Sequence, residues 1–284
     1  MLYFIIKVII LIICFFLIVM IVDGNRFVVR EYTVTAEKIT EDMDIVLLAD
    51  LHNKQYGKNN SKLVEAIDKI HPDCIIVAGD MVTAKPGKSN EIPIKLFDKL
   101  SKYQIFYGIG NHEYRMKIYE DIYGDAYKQY IEQLKKYSVH ILENDSIELK
   151  KRNVVIQGIM IKREYYKRIH KKQMDPSYLK KLTGNINNDQ FQIFIAHNPE
   201  YFEDYVNAGA DLVLSGHIHG GIMRLPGLGG VISPKCTLFP KYDGGMFKYG
   251  KGNMILSRGL GMHTIPIRIF NPGELVVIHL KTCK

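Results

Sequence analysis

The chain has 284 residues, 47% of them hydrophobic and 24% charged, which is enough to bury one large core or two modest ones and is not a disordered composition. Its formal net charge of +8 draws on a basic stretch from Lys150 to Lys181, which carries no signature specific to nucleic acid. Cys14, Cys74, Cys236 and Cys283 lie far apart with no CxxC spacing, which argues against a disulfide framework or a thiolate zinc site.

The amino terminus, MLYFIIKVIILIICFFLIVMIV, is apolar apart from Lys7 and long enough to span a bilayer. It lacks a small-x-small cleavage site, so residues 1–23 read as an uncleaved transmembrane anchor and 24–43 as a juxtamembrane segment. Lys7 places the amino terminus inside, whereas Arg26, Arg30 and Lys38 on the other flank argue against that. The face of the single-pass protein is therefore open, with the extracytoplasmic side slightly favoured.

From 44 to 284 the pattern is that of one domain. Asp44 to Ala49 is a buried strand, Ser61 to Ile70 an amphipathic helix, and Cys74 to Ala78 a second strand. Ile92 to Leu100 follows as a helix, Gln104 to Gly108 as a strand, and Tyr119 to Tyr137 as a longer helix. Two strand-helix-strand units in succession favour parallel pairing with right-handed crossovers. The second half begins with short strands at Val139 to Leu142, Ser146 to Lys150 and Val154 to Gly158, then a basic helical insertion. Strands at Phe191 to Ala196 and Asp211 to Ser215 flank a helix at Pro199 to Ala208. Further strands are expected at Asn253 to Ser257, Arg268 to Phe270 and Glu274 to Leu280. The order fits an α/β fold of two packed mixed β-sheets flanked by helices.

Each strongly apolar strand of this core ends in polar residues: LLADLH (Asp50, His52), IVAGD (Asp80), YGIGNHE (Asn111, His112), FIAHNPE (His197) and LSGHIH (His217, His219). Ligands of open α/β sheets bind beyond the carboxyl ends of strands, so these groups should converge. Any one of them alone reads as well as a turn, cap or surface residue. In an extended segment, His217 and His219 would point to the same side about 6.5 Å apart. Two aspartates, an asparagine and four histidines offer oxygen and nitrogen donors without thiolate, a set suited to zinc, manganese or iron. That is too many ligands for one ion and suits two ions sharing a carboxylate.

In this order DLH, GD, GNHE, a later His and GHxH resemble the calcineurin-like metallophosphoesterase superfamily, from about Asp44 to Leu280. The tail GHIHGGIMRLPGLGGVISP, with FPKY and SRGLG, is similar to its bacterial membrane-anchored, single-domain, phosphodiesterase-like branch. The resemblance implies an αββα sandwich and two divalent ions per chain, Mn, Zn or Fe. It assigns Asp50, His52 and His219 to one ion, Asn111, His197 and His217 to the other, and Asp80 to both. His112 then faces substrate as the catalytic residue, with Glu113 orienting it or held in a salt bridge. The implied reaction is attack by a metal-activated hydroxide on a phosphodiester or pyrophosphate, of a small-molecule, lipid-linked or cell-envelope substrate. Asn53, Tyr114, Arg258 and His263 are candidates for contact with that substrate because they adjoin the motifs. Membrane lipid is an expected partner, nucleic acid is not, and the oligomeric state is open. Two alternatives stand beside this reading: a phosphoprotein phosphatase, and a catalytically silent metal- or lipid-binding membrane protein.

Overall fold

The computed structural model describes residues 1–167, 171–225, 227–232, 237–262 and 266–283. The apolar amino-terminal run forms α1 (Leu2–Asn25), which is long and apolar enough to cross a membrane. Strands β1 (Phe27–Ala36) and β2 (Met43–Leu48) follow, then α2 (Ser61–Ile70), β3 (Cys74–Val77), α3 (Glu91–Lys99) and β4 (Gln104–Gly108). Three helices come next: α4 (Asn111–Ile118), α5 (Glu120–Tyr123) and α6 (Ala126–Lys135). The expected long helix over Tyr119 to Tyr137 is thus broken, because Gly124 takes φ +56° between α5 and α6.

The second half contains β5 (Val139–Leu142), β6 (Ser146–Leu149), β7 (Val154–Gly158), α7 (Pro176–Thr183), β8 (Phe191–Ile195), α8 (Phe202–Asn207) and β9 (Leu212–Ser215). It closes with β10 (Met223–Leu225), β11 (Gly229–Ile232), β12 (Gly245–Tyr249), β13 (Gly252–Leu256) and β14 (Gly273–Thr282). Expected as a strand, Arg268 to Phe270 forms a single bridge, Ile269 with Met223. The reason is visible in its side chain: the buried Arg268 guanidinium donates to the carbonyls of Arg258, Gly259, Gly261, Asn271 and Pro272, so it gathers loops.

Two six-stranded mixed sheets result, ordered β1-β14-β2-β3-β4-β5 and β12-β13-β9-β8-β7-β6, with β10-β11 as a separate hairpin. Strand alternation splits each strand between two cores. Ile45, Leu47, Ile76 and Phe106 of the first sheet pack against Ile156, Ile193, Leu214 and Ile255 of the second. The opposite faces turn outward: Val46, Leu48, Ile75 and Tyr107 meet Leu63, Leu96 and Leu134 of α2, α3 and α6, while Phe194 and Val213 meet Leu179 and Phe202 of α7 and α8. The layers therefore run helix, sheet, sheet, helix.

The segment read as juxtamembrane contributes to this body. β1 pairs in parallel with β14 along its whole length, from Phe27 with Gly273 to Ala36 with Thr282. It is an edge strand with a mostly solvent-facing pattern, so its sequence lacks the apolar run of a buried strand.

Candidate metal centre

Strands β2, β3 and β4 are mutually parallel, as are β8 and β9, and the polar residues beyond their carboxyl ends meet at one rim of the sandwich. Three groups of donors form there, the atoms within each lying within 4.8 Å of one another: Asp50, His52 and His219; Asp80, His197 and His217; and His52, Asp80 and His112. Asn111 joins the second group, its side-chain oxygen 3.0 Å from His197 Nε2.

The local backbone that achieves this is not extended. β9 ends at Ser215, and His217 and His219 both hold positive φ, 77° and 56°, so the expectation that strand alternation aims these rings does not hold. Two successive left-handed turns send the rings to different groups instead. Asp50, His52 and Asp80 share the property, with φ 52°, 47° and 55°. Non-glycine residues take that conformation at a cost, and the cost is tolerated where surrounding bonds over-determine the geometry. Those bonds are present: His217 N–H donates to Asp50 Oδ2 at 3.0 Å, and His112 N–H donates to Asp80 Oδ1 at 2.7 Å. Close approach also limits residue size, since a Cβ on Gly79 would lie 2.4 Å from Gly110 Cα, and one on Gly216 2.4 Å from Asp50 Oδ2.

Hydrogen bonds set the imidazole tautomers. His197 Nδ1–H donates to the Ala78 carbonyl at 2.6 Å, which turns the Nε2 lone pair toward Asp80 Oδ2, 3.1 Å away. His52 Nδ1 faces the Val82 carbonyl at 3.2 Å, and its Nε2 lies 3.1 Å from His219 Nε2. The Asn111 amide is ringed by acceptors: turned over, its nitrogen would reach Asp80 Oδ2 at 3.3 Å, His197 Nε2 at 3.0 Å and His217 Nδ1 at 2.7 Å. Two carboxylates, an amide oxygen and imidazole lone pairs aimed inward at each other are the donor set a divalent cation satisfies. The residues present fit such ions.

The electrostatics agree. Burial raises Asp50 to about 7, against the pull of His197, and the Asp80 carboxylate adds to the rise. Burial works the same way on Asp80, yet His197, His112 and His52 hold it well below the usual carboxylate range. Burial opposes a charged His197, but Asp80 and Asp50 outweigh it and raise that imidazole to about 9. Protons and divalent cations thus compete for the same lone pairs.

His112 is bound differently. Its Nδ1 accepts the Ala84 backbone N–H at 2.9 Å, so in the neutral ring the proton sits on Nε2, 4.0 Å from Asp80 Oδ2. Burial lowers its pKa, against the pull of Asp80. Among the described residues Glu113, fully buried, neither bonds to the His112 side chain nor forms a salt bridge. It accepts the Asp80 and Met81 backbone N–H groups, both at 2.9 Å, and the Tyr107 hydroxyl at 2.6 Å, bracing the loop that carries Asp80.

The expected substrate contacts among the described residues are engaged by neighbouring loops, with Arg258 packed beside Gly220, the residue after His219. Asn53 bridges loops, accepting Thr83 N–H and donating to the Ser89 carbonyl. Tyr114 packs on the outer core of the first sheet, and Arg258 sits against buried Glu274, to which its backbone N–H donates at 2.7 Å. His263 lies outside the described residues. A residue without motif context, Tyr166, stands over the site, its ring 5.3 Å from that of His217 and 6.3 Å from that of His197. It follows a basic, irregular stretch that gives it no sequence signal.

A family model described as calcineurin-like phosphoesterase matches residues 43–221. An uncharacterized metallophosphoesterase of Campylobacter jejuni is 28% identical over 265 residues, which span 89% of this chain but only 63% of that relative. UDP-2,3-diacylglucosamine pyrophosphatase LpxG of Chlamydia muridarum is 25% identical over 277 residues, 82% of each chain. A transmembrane protein with metallophosphoesterase domain from Danio rerio is 22% identical, covering 89% of this chain and 57% of its own.

Proposed function

The chain belongs to the calcineurin-like phosphoesterase family, and from that premise we propose that it is a membrane-anchored phosphohydrolase cleaving a phosphodiester or pyrophosphate of a lipid-linked or cell-envelope molecule. Family membership makes it a metal-dependent phosphoesterase; the number of ions, the bond cleaved and the anchor are this proposal's own. The observation that carries it is the position of Asp80 between the donors, its Oδ2 3.8 Å from His52 Nε2 on one side and 3.1 Å from His197 Nε2 on the other. Asp50, His52 and His219 would hold one ion, Asn111, His197 and His217 a second, and Asp80 would touch both. Such ions supply Lewis-acid charge to phosphoryl oxygens and acidify a coordinated water.

The chain's own groups do the rest. His112 Nε2–H faces the cluster and would donate a hydrogen bond to the leaving oxygen, because the Ala84 N–H keeps the ring proton off the opposite nitrogen. Glu113 fixes the loop bearing Asp80. The Tyr166 ring walls the side of His217 and limits the approach of substrate to the rim. Residues 1–23 serve as the anchor and the remainder as one catalytic domain, with the extracytoplasmic side favoured. A lipid-linked pyrophosphate is supported by the activity named for the Chlamydia relative.

The test is a substrate panel on full-length protein in detergent, loaded with manganese: an aryl phosphodiester, a nucleotide-sugar pyrophosphate with and without acyl chains, and a phosphopeptide. We expect turnover of the first two classes, the acylated pyrophosphate fastest, and a loss of about 10²–10³-fold or more in Asp80→Ala. Turnover of the phosphopeptide alone would move the protein among phosphoprotein phosphatases. Turnover of nothing, with metal bound, would make it a silent binding protein.

A further inference from the structure

We propose that the face of the domain carrying Phe270, Phe239, Leu238 and Leu228 is a membrane-docking surface that enters the lipid bilayer beside α1. The proposal rests on reading α1 as a membrane span and goes beyond it, because a span by itself only tethers a domain.

The contact that requires it lies between helix and domain. The Phe270 ring is 6.3 Å from the rings of both Phe15 and Phe16 in α1. At 1.5 Å of rise per residue, Phe16 lies roughly 9 Å inside Val22, the last residue of the apolar run. A span that keeps this contact carries Phe270 below the headgroups with it. The end of the helix is tied to the same loop, since buried Asp23 accepts the Asn271 backbone N–H at 3.0 Å.

Phe270 is one corner of a larger apolar surface. Ile269 bridges to Met223, β10 pairs with β11, and Ile232 bridges to Leu238, so one small irregular sheet runs from the anchor outward. Along it Leu228, Leu238, Phe239 and Phe270 are 67%, 63%, 60% and 38% exposed. Both phenylalanines hold left-handed backbone, φ 47° and 53°, a conformation bulky residues rarely adopt. Large exposed apolar groups clustered next to a membrane-crossing helix fit lipid as their occupant. The surface also adjoins the metal centre, because Asn271 donates through Nδ2 to the carbonyls of His219 and Gly221, both at 2.8 Å. Docking would therefore hold the rim of the site near the headgroups, where a lipid phosphoester lies.

The chain contains no tryptophan, so a single introduced one reports depth without background. Full-length Leu11→Trp, Phe239→Trp, Phe270→Trp and Ile122→Trp would be reconstituted into phosphatidylcholine vesicles with and without brominated acyl chains. We expect the first three to shift to the blue and lose most of their emission to the brominated lipid, and Ile122→Trp, on exposed α5, to lose none. Quenching of Leu11→Trp with Phe239→Trp and Phe270→Trp unaffected would overturn the docking surface and leave the anchor standing. An unquenched Leu11→Trp would instead remove the span itself, and the proposal with it.

Discussion

At the scale of single residues, the chemistry turns on how each imidazole is held by its second nitrogen. His197 spends Nδ1 on a carbonyl and presents a lone pair; His112 accepts an N–H on Nδ1 and presents a proton. Two histidines of the same centre are thus assigned opposite tasks by backbone groups no motif encodes. This leads to a prediction about leaving groups. His112→Ala should slow cleavage of an alkyl phosphodiester by roughly 10²–10³-fold, the usual range for a lost donor to a developing oxyanion, and of a nitrophenyl ester by only about tenfold. Nitrophenolate carries its charge with little help. Steady-state kinetics on the two ester classes check it, and equal losses on both would show that His112 does not face the leaving oxygen. The candidate donors Asp50, His52, Asp80, Asn111, His197, His217 and His219 could be singled out in the chain because each lies just beyond an apolar strand. The bracing role of Glu113 could not, since its partners are backbone N–H groups on a different strand end.

At the scale of elements, buried strands were legible and edge pieces were not. CIIV and FQIFI are buried along their whole length and match β3 and β8, whereas β1 shows one side to solvent, β10 and β11 are only three and four residues long, and β12 is largely exposed. The cost of missing β1 is practical. A soluble version cut at Asp44, the apparent domain start, strips the 10-residue partner from β14 and leaves a long unpaired edge beside a buried strand. A version starting at Val22 keeps both β1 and the Asp23 bonds to Asn271 and Arg26. We expect the longer version to be monodisperse and to melt in one transition, and the shorter one to aggregate or to melt at least about 5 °C lower, a shift equivalent to a few kcal/mol in a domain of this size. Light scattering and a thermal melt on the pair decide it. Indistinguishable melts would mean that β1 adds nothing to the sheet.

At the scale of the whole molecule, the two sheets meet through the apolar residues between them and through the donors at one rim. The sandwich could be anticipated from strand order, but which strands stand at the edges depends on long-range pairing that local pattern does not report. The rim has its own consequence for stability. Asp50, Asp80 and Asn111 come from the first sheet, and His197, His217 and His219 from the second, so an ion held by Asp80, His197 and His217 would tie the sheets together. A ligand that binds only the folded chain adds about 2.7 kcal/mol at a hundredfold excess over its Kd. Spread over a domain of this size, that should raise the melting temperature by roughly 5–10 °C on saturation with manganese, and chelation should reverse it. Asp80→Asn should lose most of the rise because Asp80 lies in two of the donor groups, while His112→Asn should keep it, its Nδ1 being occupied by the Ala84 N–H. Differential scanning fluorimetry with and without chelator measures all three proteins side by side. A melting temperature that ignores metal in the unaltered chain would mean that the sheets are held by their apolar interface alone.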